Sequence, residues 1–272
     1  MRIGVLGLGH MGLPIARALY ARDHEVFSWS RKSSSYPWFH SISTETLSAK
    51  ALDFLLVASG YARPGLGDQI SEINSTLDLI PKSLRYEETR ILYLSSGAVY
   101  GECPHPKSEI DQILPSTTYG SIKAGVEKEF DQIFTDRFTS LRVGNIVDWE
   151  NPYGILAMAR KAQHSRSLDF FGNPDDCRDY VSIYELCLMI SKVIESNKYE
   201  KFINLGSGFS ISLHEVSEAF MGTFPNLKIN WNSPRSFDVS KTKLDIQKVR
   251  KLTSVEPTDP RPLFYEYLRG KI

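Results

Sequence analysis

The sequence predicts an α/β protein: a doubly wound parallel sheet followed by a smaller, looser lobe. Three observations predict it. Strand-like and helix-like stretches alternate from the start to about Val147. The strand-like stretches are unbroken apolar runs rather than in/out alternations, which is the pattern of strands covered by helices on both faces. The opening "GLGHMG" sets three glycines between the first strand and the first helix, a turn that begins many such sheets.

The elements follow in order. "RIGVLGLG" is a buried strand entering the glycine turn, "HMGLPIARALYARD" is a helix and "HEVFSWS" a second strand, while "RKSSSYPWFHSIS" is polar and irregular. "ALDFLLVASG" is an apolar strand ending in small residues. "GDQISEINSTLDLIPKSL" has helical spacing, with Ile70, Ile73, Leu77 and Ile80 expected on one face. "TRILYLSS" is the next strand. "YGECPHPKSEIDQILPSTT" carries the prolines and acids of a loop. "YGSIKAGVEKEFDQIF" is a helix with Ile122, Val126, Phe130 and Ile133 at spacings of 4, 4 and 3, and "FTSLRVGNIV" is a strand. Beyond it the pattern loosens: "GILAMARKAQHSRS" reads as helix, "RDYVSIYELCLMISKVIES" contains one, and "KFINLGSG" reads as strand. The expected division is a dinucleotide-binding part over 1–147, with contributions from about 178–208, and a mostly substrate-binding lobe over 148–272, interleaved at the boundary.

The 272 residues suffice for that architecture, and 42% apolar with 24% charged residues is ordinary for a water-soluble globular protein. Thirty-two basic residues balance thirty-two acidic ones, and the aromatics are not interleaved with basic clusters, so no nucleic-acid partner is expected. No run approaches the ~18–20 apolar residues of a membrane span, and the N-terminus lacks signal-peptide features, so a cytoplasmic protein without a membrane partner is expected. Cys103, Cys177 and Cys187 are widely spaced and the six histidines show no ligand spacing; neither a disulfide framework nor a metal is expected.

Gly7, Gly9 and Gly12 have the G-x-G-x-x-G spacing of a Rossmann-type dinucleotide turn. The first makes the tight turn, the second lets the backbone approach a pyrophosphate, and the third lets helix and strand pack closely. The helix N-terminus adds N–H groups and partial positive charge. His10 and Met11 within the turn, and Ala58 at the end of the "DFLLVAS" strand, complete the expected contacts. Cofactor choice falls at the end of the second strand. An acidic residue there would bind the ribose 2′-hydroxyl of NAD. This chain has Ser30, Arg31 and Lys32, which attract a 2′-phosphate instead. NADP is therefore expected, with NAD possible.

"YGSIK" places Tyr119 and Lys123 four residues apart, on one helix face. A tyrosine of pKa ~10 is a poor acid–base catalyst near neutrality unless a nearby cation favours its phenolate. Lys123 supplies that cation and can also hold the cofactor ribose. Ser96, at the end of a neighbouring strand, is placed to orient a substrate oxygen, because ligands collect beyond the carboxyl ends of parallel strands.

At these residues the chain resembles the extended short-chain dehydrogenase/reductases, the NAD(P)-dependent epimerase/dehydratase family acting on nucleotide sugars. "LSSGAVYG" resembles the family's serine motif, with Ser96 four residues before Tyr100 and Gly97 beside it at the substrate. "YGSIK" is similar to its YxxxK, "LRVGN" to its Leu-Arg-x-x-Asn segment, "CRDYVSIYEL" to its Arg-Asp-Tyr-Val stretch and "FINLGSGFSISLHEV" to its Asn-x-Gly-x-Gly segment. The resemblance implies that Ser96, Tyr119 and Lys123 are catalytic, that Asn145 touches substrate and that Arg178 binds its pyrophosphate. Arg235 is a candidate second clamp, since arginine forks suit a diphosphate. Dimers through two helices, one bearing YxxxK, are common in the family, so a homodimer is a possible assembly.

The departures are informative. The third strand is not recognisable between Ser30 and "DFLLVASG". Gly97 and Ala98 follow Ser96 where the family's dehydratases carry an acidic pair, which disfavours elimination. The implied activity is NADP-dependent reduction of a nucleotide-activated 4-keto-sugar, with 4-epimerisation by tightly held NAD(P) as the alternative. "GLGHMGLPIARAL" also resembles the β-hydroxyacid dehydrogenases, but "YGSIK" has no place there. A non-catalytic NADP-binding regulator is the remaining alternative, set against by the presence of Ser96, Tyr119 and Lys123 together. The basic pair predicts a lower Kd for NADP than for NAD in calorimetric titration; equal affinities would remove its basis.

Overall fold

The computed structural model describes residues 1–29, 40–41, 51–59, 69–103, 105–150, 154–235 and 241–270. Seven strands form one sheet: β1 (Arg2–Leu6), β2 (Glu25–Trp29), β3 (His40–Ser41), β4 (Phe54–Val57), β5 (Arg90–Ser96), β6 (Phe138–Val143) and β10 (Phe202–Leu205). Their order is β10-β6-β5-β4-β1-β2-β3, and every pairing is parallel. The predicted doubly wound sheet is present.

The apolar runs follow from two cores. Leu92 and Leu94 of β5 point into a core covered by α1 (Gly12–Tyr20) and α5 (Ile183–Ser196). Ile91 and Tyr93 of the same strand point into the opposite core, with Val126 and Phe130 of α3 (Thr118–Phe134). Ile73 and Leu77 of α2 (Gln69–Leu77) pack against that second core. With both faces buried, no strand position is left for a polar alternation.

Most residues after Val143 build a lobe beside this sheet. β7 (Asn145–Val147), β9 (Cys177–Ser182), β11 (Ser210–Ser212) and β13 (Lys241–Thr242) form a four-stranded sheet, and β8 (Ser167–Phe171) pairs with β12 (Lys228–Asn232). A third core there joins α4 (Ile155–His164), α6 (Leu213–Thr223) and α8 (Arg261–Leu268) through Leu156, Phe170, Phe220 and Phe264. A further helix, α7 (Gln247–Thr253), sends Val249 into the α1–α5 core.

Four sequence expectations are corrected. A short third strand exists, His40–Ser41, beside β2; two residues carry too little pattern to be read from the sequence. "FTSLRVGNIV" is two strands, because Gly144 diverts the chain from the seven-stranded sheet into the lobe sheet. Ile70, in the first turn of α2, is exposed; the helix buries Thr76 instead and ends at Leu77, so Ile80 is buried beyond it. On α3, Phe134 fills the buried place expected of Ile133, which is only half-buried.

One ion pair fastens α3 to the sheet. Arg142 of β6 donates from Nη2 and Nε to the Glu127 carboxylate at 2.8 and 3.1 Å, with both side chains almost wholly buried. Ser140 Oγ donates to the same carboxylate at 2.7 Å. Arg142 Nη1 donates to Tyr100 Oη at 2.9 Å, and Tyr100 donates to Asn204 Oδ1 at 2.8 Å. Removing one member of a buried pair strands the other charge. Glu127→Ala should lower unfolding stability by about 3–5 kcal/mol, measured by urea denaturation; a loss under about 1 kcal/mol, the scale of a surface pair, would contradict this role.

Candidate active site

The glycine turn is compressed at two positions and open at one. Gly7 has φ +94°, and a Cβ there would stand 2.9 Å from Ser59. Its N–H donates to Trp29 O at 2.8 Å, fixing the turn to the end of β2. A Cβ on Gly12 would fall 1.8 Å from Gly7 O and 3.1 Å from Ala58 Cβ, so α1 crosses directly behind the turn. Gly9 differs: its Cβ would meet nothing within 4 Å. Its backbone faces open space, as approach of a pyrophosphate requires. Met11 stands at the N-cap of α1 without a side-chain cap, leaving that helix end to other acceptors. Ala58 N–H donates to Leu6 O at 2.9 Å, which brings the end of β4 beside the turn. His10 Nε2 lies 3.9 Å from the buried Asp148 carboxylate, beyond the end of β7. Ser30, Arg31 and Lys32 lie outside the described residues.

Ser96 closes β5. Its Oγ accepts from Ala98 N at 3.2 Å and caps a 3-10 turn over Gly97–Tyr100. Gly97 is buried, and a Cβ on it would press on Leu244 at 3.2 Å. Tyr100 is the buried anchor of this turn; burial pushes its hydroxyl up to about 12, so it acts as a neutral hydrogen-bonding group. Helix α3 begins against the turn. Thr117 accepts from Gly120 N at 3.1 Å as its N-cap. A Cβ on Gly120 would stand 2.5 Å from Ala98 O; the glycine of "YGSIK" lets the helix start touch the serine turn.

That contact brings Tyr119 and Lys123 to the end of β5. Tyr119 is half-buried. Lys123 is buried, donates from Nζ to Leu94 O at 2.7 Å, and sits 5.9 Å from the Tyr119 ring centroid. Burial pushes its ammonium down to about 8, opposed by the Glu127 charge.

Asn145 and Arg178 form a second group, on the lobe sheet. Asn145 Nδ2 is 3.4 Å from Asp179 O and from Thr242 Oγ1. Arg178, half-buried on β9, lies in register with Ile211 of β11 and Thr242 of β13. The groups are linked through the sheet, since Ser96 pairs with Val143, two residues before Asn145. Arg235 is exposed, with its guanidinium 4.8 Å over the Phe171 ring at the end of β8.

Sequence reasoning missed Asp179. This fully buried carboxylate accepts from Ser207 N at 2.8 Å, Ser207 Oγ at 3.1 Å and Gly208 N at 3.0 Å. Burial pushes it up to about 6 against those bonds. It ties β9 to the loop after β10; the available signal was an acid in "CRDYV" and a small-residue turn in "NLGSG".

The family model described as the NAD dependent epimerase/dehydratase family matches residues 3–206. The chain belongs to this family. The match includes "YGSIK", which the likeness to β-hydroxyacid dehydrogenases left unexplained. Among curated proteins, the dTDP-4-dehydro-6-deoxyglucose reductase of Escherichia coli is 31% identical over 144 residues, covering 47% of this chain and 44% of that one. The low-salt glycan biosynthesis protein Agl12 of Haloferax volcanii is 22% identical over 159 residues, covering 56% and 51%. The chain thus spans about half the length of the curated relatives it matches. A UDP-glucuronic acid 4-epimerase from Bacillus cereus, solved with UDP-glucuronic acid and NAD, superposes with a TM-score of 0.85 over 100% of both chains at 16% identity. A UDP-N-acetylglucosamine 4-epimerase from Methanobrevibacter ruminantium M1 gives 0.80 over 99% and 96% at 22%. At such identities the likeness is one of fold, and it agrees with the predicted fold class. Among the described residues, no helix is long and apolar enough to cross a membrane.

The glycine geometry separates two variants of this family member. Gly9→Ala should fold with stability within about 0.5 kcal/mol of the parent, while weakening dinucleotide binding at least about tenfold through steric block. Gly12→Ala should lose both, because its Cβ overlaps Gly7 O. Thermal melts with and without cofactor read the difference; unchanged cofactor affinity in Gly9→Ala would argue against the turn as the phosphate site.

Proposed function

We propose that this chain reduces the 4-keto group of a nucleotide-activated sugar, using NADP. The observation that supports the reading is at the end of β5, where Ser96 closes the strand, the buried Lys123 ammonium bonds Leu94 O and the Tyr119 ring lies 5.9 Å from that ammonium. They are joined through Leu94 O and the Ala98–Gly120 contact. The partial identity to a 4-keto-sugar reductase supports the same choice. So does the Ser96–Gly97–Ala98 sequence, which sets no carboxylate next to the catalytic hydroxyl for eliminating water.

The cofactor residues are Gly7, Gly9, His10, Met11, Gly12 and Ala58 at the turn, Ser30, Arg31 and Lys32 at the 2′-phosphate, and Lys123 at the ribose. Held by these residues, the cofactor would supply the hydride for the sugar carbon. Tyr119 gives its hydroxyl proton to the carbonyl oxygen, which would otherwise develop an alkoxide charge. Lys123 stabilises the phenolate left behind. With its ammonium at about 8, this support is present at neutral pH and lost above it. Ser96 donates to the carbonyl oxygen and fixes its direction. Asn145 and Gly97 contact the sugar, Arg178 holds the diphosphate by charge-assisted bonds and Arg235 closes on it.

Tyr119→Phe should lower kcat about 10²–10⁴-fold while leaving NADPH affinity within about threefold. The assay follows NADPH oxidation at 340 nm with a dTDP-4-keto-6-deoxy sugar and its UDP counterpart. Unchanged turnover in Tyr119→Phe would remove the mechanism. Cofactor that copurifies, with sugar inversion and no net NADPH oxidation, would make the chain a 4-epimerase instead.

A further inference from the structure

Tyr93 is a core residue of β5. It is 1% exposed, and its ring lies on the same face as α3. The Lys123 Nζ stands 4.6 Å from its centroid, closer than the 5.9 Å to Tyr119. The ring is held from behind: Phe130 meets it edge-on at 5.3 Å, and Phe134 and Phe138 wedge Phe130 in turn at 5.6 and 5.8 Å.

The ammonium needs this surface. It has three donors and Leu94 O satisfies one. A buried charge without further compensation is costly, and an aromatic face within about 6 Å provides some. The groups facing Lys123 are few. Glu127, one turn along α3, is the carboxylate that acts on it, but both Glu127 oxygens are engaged by Arg142, and one also by Ser140. Tyr119 is half-buried. Tyr93 lies beneath, and burial raises its hydroxyl well above the ordinary tyrosine value, so it offers a neutral ring and no competing phenolate.

We infer that Tyr93 is a positioning residue for Lys123: its ring is the floor on which the ammonium rests, and it fixes where that charge stands relative to Tyr119. This rests on the reading of Tyr119 and Lys123 given above.

The test titrates Lys123 directly, by NMR of the full chain carrying ¹³Cε-lysine, with the resonance assigned by its loss in Lys123→Arg. Tyr93→Phe keeps the ring face and should hold the midpoint within about 0.3 pH unit. Tyr93→Met keeps most of the volume without the face, and should lower the midpoint by about 0.5–1 unit, the worth of one partly desolvated cation–π contact. Mono-, di- and trifluorophenylalanine at position 93 preserve shape while draining the face, and should lower the midpoint stepwise; they decide the matter if the Met variant does not fold. The alkaline limb of kcat should move with the midpoint while KM stays put, and Tyr93→Phe should restore both. A midpoint that is the same in wild type, Met and trifluoro variants overturns the proposal. Absence of turnover in the wild type would overturn the proposed reaction, yet leave the Lys123 midpoint to decide Tyr93.

Discussion

A carboxylate and a guanidinium almost wholly out of water, Glu127 and Arg142, set the terms for everything at the end of the sheet. Each alone would be several kcal/mol too costly to bury; together they are tolerable only if α3 lies against β6 at one height. That height is what places Lys123 one turn earlier on the same helix. The third arm of the guanidinium reaches Tyr100, and so the turn capped by Ser96. Tyr100 passes the constraint to Asn204 on the edge strand, whose amide donates to Lys107 O and Asp245 O. A polar chain of this kind is demanding, since each unsatisfied member would be penalised. It therefore favours one arrangement of helix, turn and C-terminal segment over near alternatives.

Close backbone approach is the complementary device. Gly120 lets α3 touch the serine turn, and Gly12 lets α1 touch the glycine turn after β1. Both contacts lie at the carboxyl ends of the parallel strands, where ligands of such sheets collect. The ion pair fixes the helix along its length and the glycine fixes its tip, with Lys123 between them and Tyr119 next to the glycine.

The seven-stranded sheet was legible because burial on both faces writes an unbroken apolar run, and helices with i, i+4 repeats write another period. What the sequence hid has physical reasons. His40–Ser41 is a strand by hydrogen bonding with β2, not by side-chain pattern. The break at Gly144 interrupts no hydrophobic run, because Val143 before it and Ile146 and Val147 after it are all apolar and pack into cores. Strand β12 is mostly exposed and short, so no periodicity marks it. At the site, Ser96, Tyr119 and Lys123 were readable from spacing and resemblance. Glu127 was not, since it stands in "VEKEFD" among other charges and only the fold shows that it alone turns inward against Arg142. Tyr93 and Asp179 were equally silent: one reads as an ordinary strand aromatic, the other as half of an Arg-Asp pair.

Gly144 also shapes how the two sheets are stitched. Its N–H donates to Leu205 O on the edge strand, while a Cβ there would press on Asp179 O in the lobe. The chain passes from sheet to sheet at this residue, then returns through β9 and α5 to add β10 to the first sheet. Recombination at a single crossover would consequently be ruinous. A lobe inherited from another chain by one cut near residue 147 would arrive with a foreign edge strand and a foreign covering helix, both obliged to fit the native β6 and α1. Diversification of substrate range in such a scaffold is confined to point changes and loop insertions, or to exchanges that cut on both sides of the β9–β10 return.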